Sequence, residues 1–405
     1  MERLFEIYTN LLARTDTDFI RYLHSKINWD SRLIVITGAR GVGKTTMLLQ
    51  HIKLSRTEPE SLYLSADNIY FSNNTLYDVA SKFYKLNGKF LYIDEVHKYK
   101  NWSTEIKMMY DNLPDLHIVV TGSSILDITK GTEADLSRRA ITHNLEGLSF
   151  REYLNFTLRT KIKPVPLSKI IANKYTLPED IKHPIPLWIE YLKSGYYPFF
   201  HEDDFYTRLD NVVNQTLEVD IPTYANMNVA TSVKLKRLLY IIARSVPFKP
   251  NFSELGRSIG VDRSTIADYF IYMEKAGLIS RLRHANDKMT LLEKVDKIYL
   301  SNPTLCFAES EDRPDIGNLR ETSFLSLMRV NNRVASSPVS DFLIDGMTFE
   351  VGGKNKKHKQ IESVENGFIV KDDIEHGFLN TIPLWAFGLN YQHTFIFLHL
   401  HYVPR

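Results

Sequence analysis

The octapeptide GARGVGKT, Gly38 to Thr45, sets three glycines, a lysine and a hydroxyl in the pattern G-x-x-x-x-G-K-[ST]. Glycines at 38, 41 and 43 let backbone N–H groups turn toward phosphate oxygens with no Cβ in the way, and the start of a following helix adds its dipole. Gly38, Ala39, Arg40, Gly41, Val42, Gly43, Lys44, Thr45 and Thr46 thus form a candidate phosphate cradle. Lys44 can set its ammonium between β- and γ-phosphates, the Thr45 hydroxyl suits Mg2+, and Thr46 is expected to begin the helix. The bland alternative is an ordinary glycine-rich strand-to-helix turn.

Downstream, FLYIDE at 90–95 puts four apolar residues before two acids. A buried strand would deliver Asp94 and Glu95 at its carboxyl end, where ligands bind in open α/β sheets. Asp94 is then the Mg2+ ligand, and Glu95 the base that polarises water for in-line attack on the γ-phosphate. A solvated strand end is the competing reading. A further strand, HIVVTGSS, ends in hydroxyls at Thr121, Ser123 and Ser124. Ser123 is the preferred contact to the γ-phosphate or the water, with helix capping as its rival. Arg138 and Arg139 could neutralise transition-state charge in a neighbouring subunit's site, which requires a homo-oligomer; a surface salt bridge competes. His97 reads as a packing or hydrogen-bonding residue, and Trp102 as the anchor of the next helix.

The elements that must position these groups are legible in the hydrophobic pattern. LIVIT at 33–37, SLYL at 61–64, FLYIDEV at 90–96 and HIVVTG at 117–122 are short β-branched runs separated by helical stretches. This alternation predicts an α/β domain with a parallel sheet over residues 1–160. Residues 161–250 carry proline-marked loops and amphipathic stretches such as TSVKLKRLLYIIARSV, a helical connector. From 251 to 302, FSELGRSIGVDRSTIADYFIYMEKAGLISRL has the helix, glycine turn, helix and strand of a winged helix-turn-helix. Ile266, Tyr269, Phe270, Met273 and Leu278 form its inward stripe. Residues 303–405 read as a small α+β domain.

The chain has 405 residues, and 50 Lys plus Arg against 48 Asp plus Glu leave a formal charge of +2. No global field recruits nucleic acid or anionic membrane, so any such contact needs a local patch. The single cysteine, Cys306, excludes an internal disulfide framework and a multi-cysteine zinc site, and fits a reducing cytoplasm. No uninterrupted apolar run approaches a membrane span.

In order along the chain, TGARGVGKTTML, LYIDEVHKYKNW, VVTGSS, LSRRA, LEGLSFREYL, KSGYYPFF, KIYLSNPTL, GNLRETSFL and FEVGGKNKKHKQI resemble the AAA-like P-loop ATPases of bacteria and archaea that carry a C-terminal domain of uncharacterised function. The resemblance spans nearly the whole chain. It implies ATP as the nucleotide, a core whose HIVVTGSS strand lies between the strands of the P-loop and Asp94–Glu95, and a winged helix behind it. It also implies Lys44 and Thr45 as the Walker A pair, Asp94 and Glu95 as the Walker B pair, Ser123 as sensor and Arg139 as finger. Where the family commonly shows Leu-x-Gly-Arg, this chain has Leu136-Ser137-Arg138-Arg139, which leaves the choice of arginine open.

Arg263, Ser264, Thr265, Lys275, Arg281, Arg283, His284 and Lys288 could meet DNA across residues 251–290. The acids Asp262, Asp268, Glu274 and Asp287 keep a protein-binding or intramolecular role equally open. Glu321, Asp341, Glu350 and Lys354 resemble a PD-(D/E)xK nuclease core, but the lysine stands four residues after Glu350 rather than two, so the expectation is a fold whose cleavage chemistry has been lost. The leading function is a Mg2+-dependent ATPase that repositions these domains. A slow-hydrolysing, nucleotide-gated DNA- or protein-binding regulator is the alternative, and an ATP-dependent nuclease comes third.

Overall fold

The computed structural model describes residues 1–122, 136, 138–225, 227–244, 249–284, 295–310, 313–353, 361 and 364–391. In the first part, β1 (Leu33–Thr37), β2 (Ser61–Ser65), β3 (Phe90–Asp94), β4 (His117–Thr121) and β5 (Ile141–Asn144) form one parallel sheet in the order β2-β3-β4-β1-β5. Every residue of β1 is buried, as expected of a strand covered by helices on both faces. The order puts β4 between β1 and β3, and because all three run parallel, the carboxyl ends of the P-loop strand and the acid-bearing strand open at the same edge of the sheet, flanking that of β4.

The helix Lys44–Ser55 starts two residues before the expected Thr46, because Gly43 takes the N-cap position at φ 93°, a left-handed conformation that glycine adopts without steric cost. The helix Phe150–Thr157 begins with a capping box, in which Ser149 and Glu152 satisfy each other's backbone N–H groups.

Residues beyond 160 hold the helices Pro184–Glu190, Phe205–Gln215, Ile221–Ala225 and Val229–Arg244, interrupted by π-helical turns at Tyr191–Gly195 and Thr216–Asp220. The helices Phe252–Ile259 and Arg263–Lys275 follow, joined through Gly260 at φ 73°. The antiparallel pair β6 (Ile279–Arg283) and β7 (Val295–Leu300) comes next. Ile266, Tyr269, Phe270, Met273 and Leu278 are all buried, so the apolar stripe faces inward.

The remaining strands are β8 (Val334–Ser336), β9 (Phe342–Ile344), β10 (Met347–Gly352), β11 (Gly367–Lys371) and β12 (Thr381–Pro383). They form a mixed sheet in the order β12-β11-β10-β9-β8, with the helix Ile316–Met328 packed on β10. The strand-like run HTFIFLHL at 393–400 lies outside the described residues.

This last region folds back onto the first. The Val165 N–H donates to the Leu389 carbonyl at 2.9 Å and the Arg151 N–H to the Gly388 carbonyl at 3.0 Å. The Asn390 amide reaches the Val165 carbonyl at 3.1 Å, and the rings of Tyr22 and Tyr391 meet edge-on at 4.9 Å. The buried apolar side chains accordingly form one continuous cluster from Leu4 to Tyr391. Among the described residues no helix is long and apolar enough to cross a membrane.

Candidate active site

Because β3 stops at Asp94, the acid pair is split between two backbone conformations: Asp94 ends the strand and Glu95 turns left-handed at φ 52°. The turn separates the two carboxylates. Asp94 is buried and accepts at Oδ2 from the Thr45 hydroxyl at 2.5 Å and from the Tyr63 phenol at 2.9 Å. Its Oδ1 accepts from the Thr121 hydroxyl, and that same hydroxyl accepts from the Glu95 N–H at 3.4 Å. Burial and the neighbouring Asp94 push the Tyr63 phenol far above its ordinary value, so it remains a donor. Strands β2, β3 and β4 and the P-loop helix therefore meet at one carboxylate.

Lys44, also buried, donates through Nζ to the carbonyls of Gly38 at 3.0 Å and Ala39 at 2.9 Å. Burial pushes its ammonium down to about 8, against the pull of Glu95 and Asp94. Glu95 Oε2 stands 3.6 Å from Nε2 of His97. Burial, with Lys98, Arg40 and Lys44 adding to it, lowers His97 to about 3, so its ring is neutral at neutral pH and carries no charge into the site. This agrees with a packing and hydrogen-bonding part for His97.

A cavity of about 350 Å³ opens over these groups, with Arg40, Gly41, Lys44, Thr45, Thr46 and Glu95 on one side and Phe156, Pro198, Phe199 and His201 on the other. Gly41, at φ 83°, is approached so closely that a Cβ there would sit 2.7 Å from the Phe199 ring. Arg21 supports the loop from beneath: its guanidinium pairs with Glu152 at 3.1 Å and donates to the carbonyls of Val42, Glu146 and Gly147. Arg40 Nη2 lies 3.2 Å from both carboxylate oxygens of Asp220, which is 3.8 Å from Lys98 as well.

The structure thus brings together Gly38 to Thr46, Asp94, Glu95 and Thr121. Ser123, Ser124, Lys288 and Lys354 lie outside the described residues. Arg139 is described, and its guanidinium is held by Asp111 at 3.0 Å and lies 5.8 Å over the Tyr110 ring. The sequence reading missed Arg21, Tyr63, Phe199 and Asp220. KSGYYPFF did signal the Phe199 segment, but not its place over the loop.

Elsewhere, Glu274 engages both Arg281 at 2.5 Å and Arg283 at 3.6 Å, while Arg263 and Ser264 are exposed. Farther along the chain, Lys297 Nζ on β7 stands 3.3 Å from Glu321 and 3.7 Å from Asp341, with the Tyr299 phenol donating to Glu321 at 2.7 Å. Glu350 is buried on β10. The ammonium between the two acids comes from β7, a strand that the sequence reading did not connect to them.

Residues 30–154 match the family model of an AAA domain, and residues 185–314 that of a domain of unknown function. The chain is 26% identical over 324 residues to the uncharacterized protein MJ1637 of Methanocaldococcus jannaschii, covering 70% of this chain and 66% of that protein. It is 22% identical over 412 residues to the uncharacterized protein MJ1544 of the same organism, covering 89% of each. Among solved structures, the Walker-type ATPase PABY2304 of Pyrococcus abyssi aligns at 14% identity and a TM-score of 0.42, over 69% of this chain and 91% of that one. AMPPCP-bound DnaA from Aquifex aeolicus aligns at 12% identity and a TM-score of 0.27, over 67% and 88%. The family match covers the loop, the acid pair and the parallel sheet that joins them, so residues 30–154 form an AAA-like P-loop domain.

Proposed function

We propose that the chain is a Mg2+-dependent ATPase whose nucleotide state acts on its helical, winged-helix and C-terminal domains. One observation carries the reading: the hydrogen-bonded set of Thr45, Asp94 and Thr121 beside the buried Lys44. A hydroxyl and a carboxylate 2.5 Å apart are the hard oxygen donors that Mg2+ prefers. Thr45 and Asp94 would hold the ion, which supplies charge neutralisation at the phosphates. Lys44 then leaves the Gly38 and Ala39 carbonyls for the β- and γ-phosphate oxygens. Glu95, at the cavity wall, orients water for attack on the γ-phosphorus as the bond to the bridging oxygen breaks, and takes the proton that the water loses. Ser123 as sensor and Arg139 as a finger for a neighbouring copy belong to this proposal; the second asks Arg139 to leave Asp111 on oligomerisation.

The experiment is ATP turnover and ATP binding by the full chain. Glu95→Gln should keep the affinity and lose about 100-fold or more in turnover, the usual size of a general-base contribution. Unchanged turnover refutes the role.

The alternative, a nucleotide-gated regulator that hydrolyses slowly, is favoured by the cover over the loop. The Gly277 Cα, at the end of the second helix of the helix-turn-helix, is placed so that a Cβ would come 2.9 Å from the Ala39 Cβ, and Phe199 covers Gly41. DNA recognition through residues 251–290 is the weaker output, since Glu274 already engages Arg281 and Arg283. Nuclease chemistry is weaker still, because the Lys297 ammonium stands between Glu321 and Asp341.

A further inference from the structure

Three successive P-loop residues each meet a different segment beyond the parallel-sheet region: Ala39 meets Gly277, Arg40 meets Asp220 and Gly41 meets Phe199. Two of these contacts are steric. The one at Arg40 is ionic, and it is the one that an incoming anion can change.

Asp220 ends the π-helical turn Thr216–Asp220, and its side chain is only 4% exposed. A carboxylate so far out of water needs cationic partners. Among the described residues it has Arg40 and Lys98, at 3.2 and 3.8 Å. Both belong to the P-loop domain: Arg40 lies inside the loop, and Lys98 follows the acid pair by three residues. Arg40 also lines the cavity that holds Lys44 and Glu95, and its buried Nε has no hydrogen-bond partner among the described residues. Resting on the ATP reading above, the terminal phosphate must lie beside Glu95 to be attacked there. It therefore enters the reach of Arg40, and two anions compete for one guanidinium.

We propose that Asp220 is a positioning residue that acts through Arg40, and that its ion pair with Arg40 is the latch by which the helical half distinguishes a nucleoside triphosphate from a diphosphate. The phosphate draws Arg40 away, Asp220 keeps only the more distant Lys98, and the turn that carries it loosens from the loop. By linkage the latch must oppose triphosphate binding by the same factor with which the triphosphate opens it. A diphosphate lacks the competing group and leaves the pair closed.

The test uses the full chain and two probes, ADP and a non-hydrolysable ATP analogue with Mg2+, bound to the wild type, Asp220→Asn, Arg40→Gln and the double variant. Amide hydrogen exchange over residues 216–225 is followed in each. Asp220→Asn should tighten the triphosphate analogue by about tenfold, within the usual range of coupling between sites, and ADP by less than about twofold. Arg40→Gln should weaken the analogue, and both single variants should raise exchange at 216–225 without nucleotide, with no further rise in the double variant. The analogue should raise the same exchange in the wild type, and ADP should not. Equal effects of Asp220→Asn on both nucleotides, or exchange at 216–225 that neither variant alters, overturns the assignment of Asp220 alone. A wild type that binds neither probe overturns the ATP reading and the discrimination with it. Should Asp220→Asn fail to fold, Arg40→Gln carries the exchange arm, and unaltered exchange there overturns the latch.

Discussion

Arg21 offers the sharpest test of how the phosphate loop is supported. Its side chain is 5% exposed and its partner Glu152 is 1% exposed. Burial alone would pull the guanidinium's pKa down, yet Glu152 pushes it up and the net direction is upward, as for an ion pair whose attraction exceeds its desolvation. Arg21→Met removes that pair together with the donors to the carbonyls of Val42, Glu146 at 2.6 Å and Gly147 at 2.9 Å. Among the described residues Glu152 then keeps the Tyr22 N–H at 2.8 Å and the Ser149 N–H and hydroxyl, and remains a buried charge that has lost its ion-pair partner. Removing one partner of such a pair costs about 3–5 kcal/mol. Glu152→Gln in the same background takes away the stranded charge, and its one amide oxygen still accepts either from the Tyr22 N–H or from Ser149. The double variant should therefore cost about 1–3 kcal/mol less than the sum of the singles, the range expected of groups in contact. Urea unfolding of the four proteins in a double-mutant cycle measures both quantities. A single-variant loss below about 1 kcal/mol, or additive effects, would mean that water screens the pair and that the loop does not depend on it.

Two other outcomes follow from local geometry. Gly41→Ala should weaken ATP binding and lower the melting temperature together, because a left-handed φ of 83° disfavours a side chain and the new Cβ meets Phe199 at 2.7 Å; calorimetry with and without nucleotide reads both. Burial and Asp210 push Glu309 up to about 7 from 4.5, with Lys236 working against them, so the folded chain holds more protons than the unfolded one between those values and stability falls as pH rises through that window. Glu309→Gln should match the wild type near pH 4 and exceed it above pH 7 by up to about 3 kcal/mol, and melting curves at the two pH values decide it.

What could be read from the sequence was what the chain writes contiguously. The phosphate loop, the acid pair and the hydrophobic runs of β1, β3 and β4 each occupy a few adjacent residues, and their periods declare their elements. The same reading placed the start of the P-loop helix two residues late, because a left-handed Gly43 serves as its cap. Tyr63, Arg21 and Asp220 escaped for a different reason. They reach their partners across 31, 131 and 180 residues, and no local spacing encodes a contact made only when distant segments pack together. Lys297 is a similar case: the sequence presents Lys354 near Glu350, while the fold delivers to Glu321 and Asp341 an ammonium from another strand.

The return of residues 388–391 onto Tyr22, Arg151 and Val165 also bears on how the molecule is made. The Val165 carbonyl finds its Asn390 partner 225 positions along the chain, so the first sheet can assemble on the ribosome while part of its surround stays unsealed. During that interval the Tyr22 ring and the Val165 carbonyl lack their partners Tyr391 and Asn390, and chaperone capture would concentrate there until the distal segment emerges. Premature termination before Gly388 would leave a nascent product with a competent-looking nucleotide fold and a sticky, incompletely clad flank, a natural substrate for proteolytic clearance.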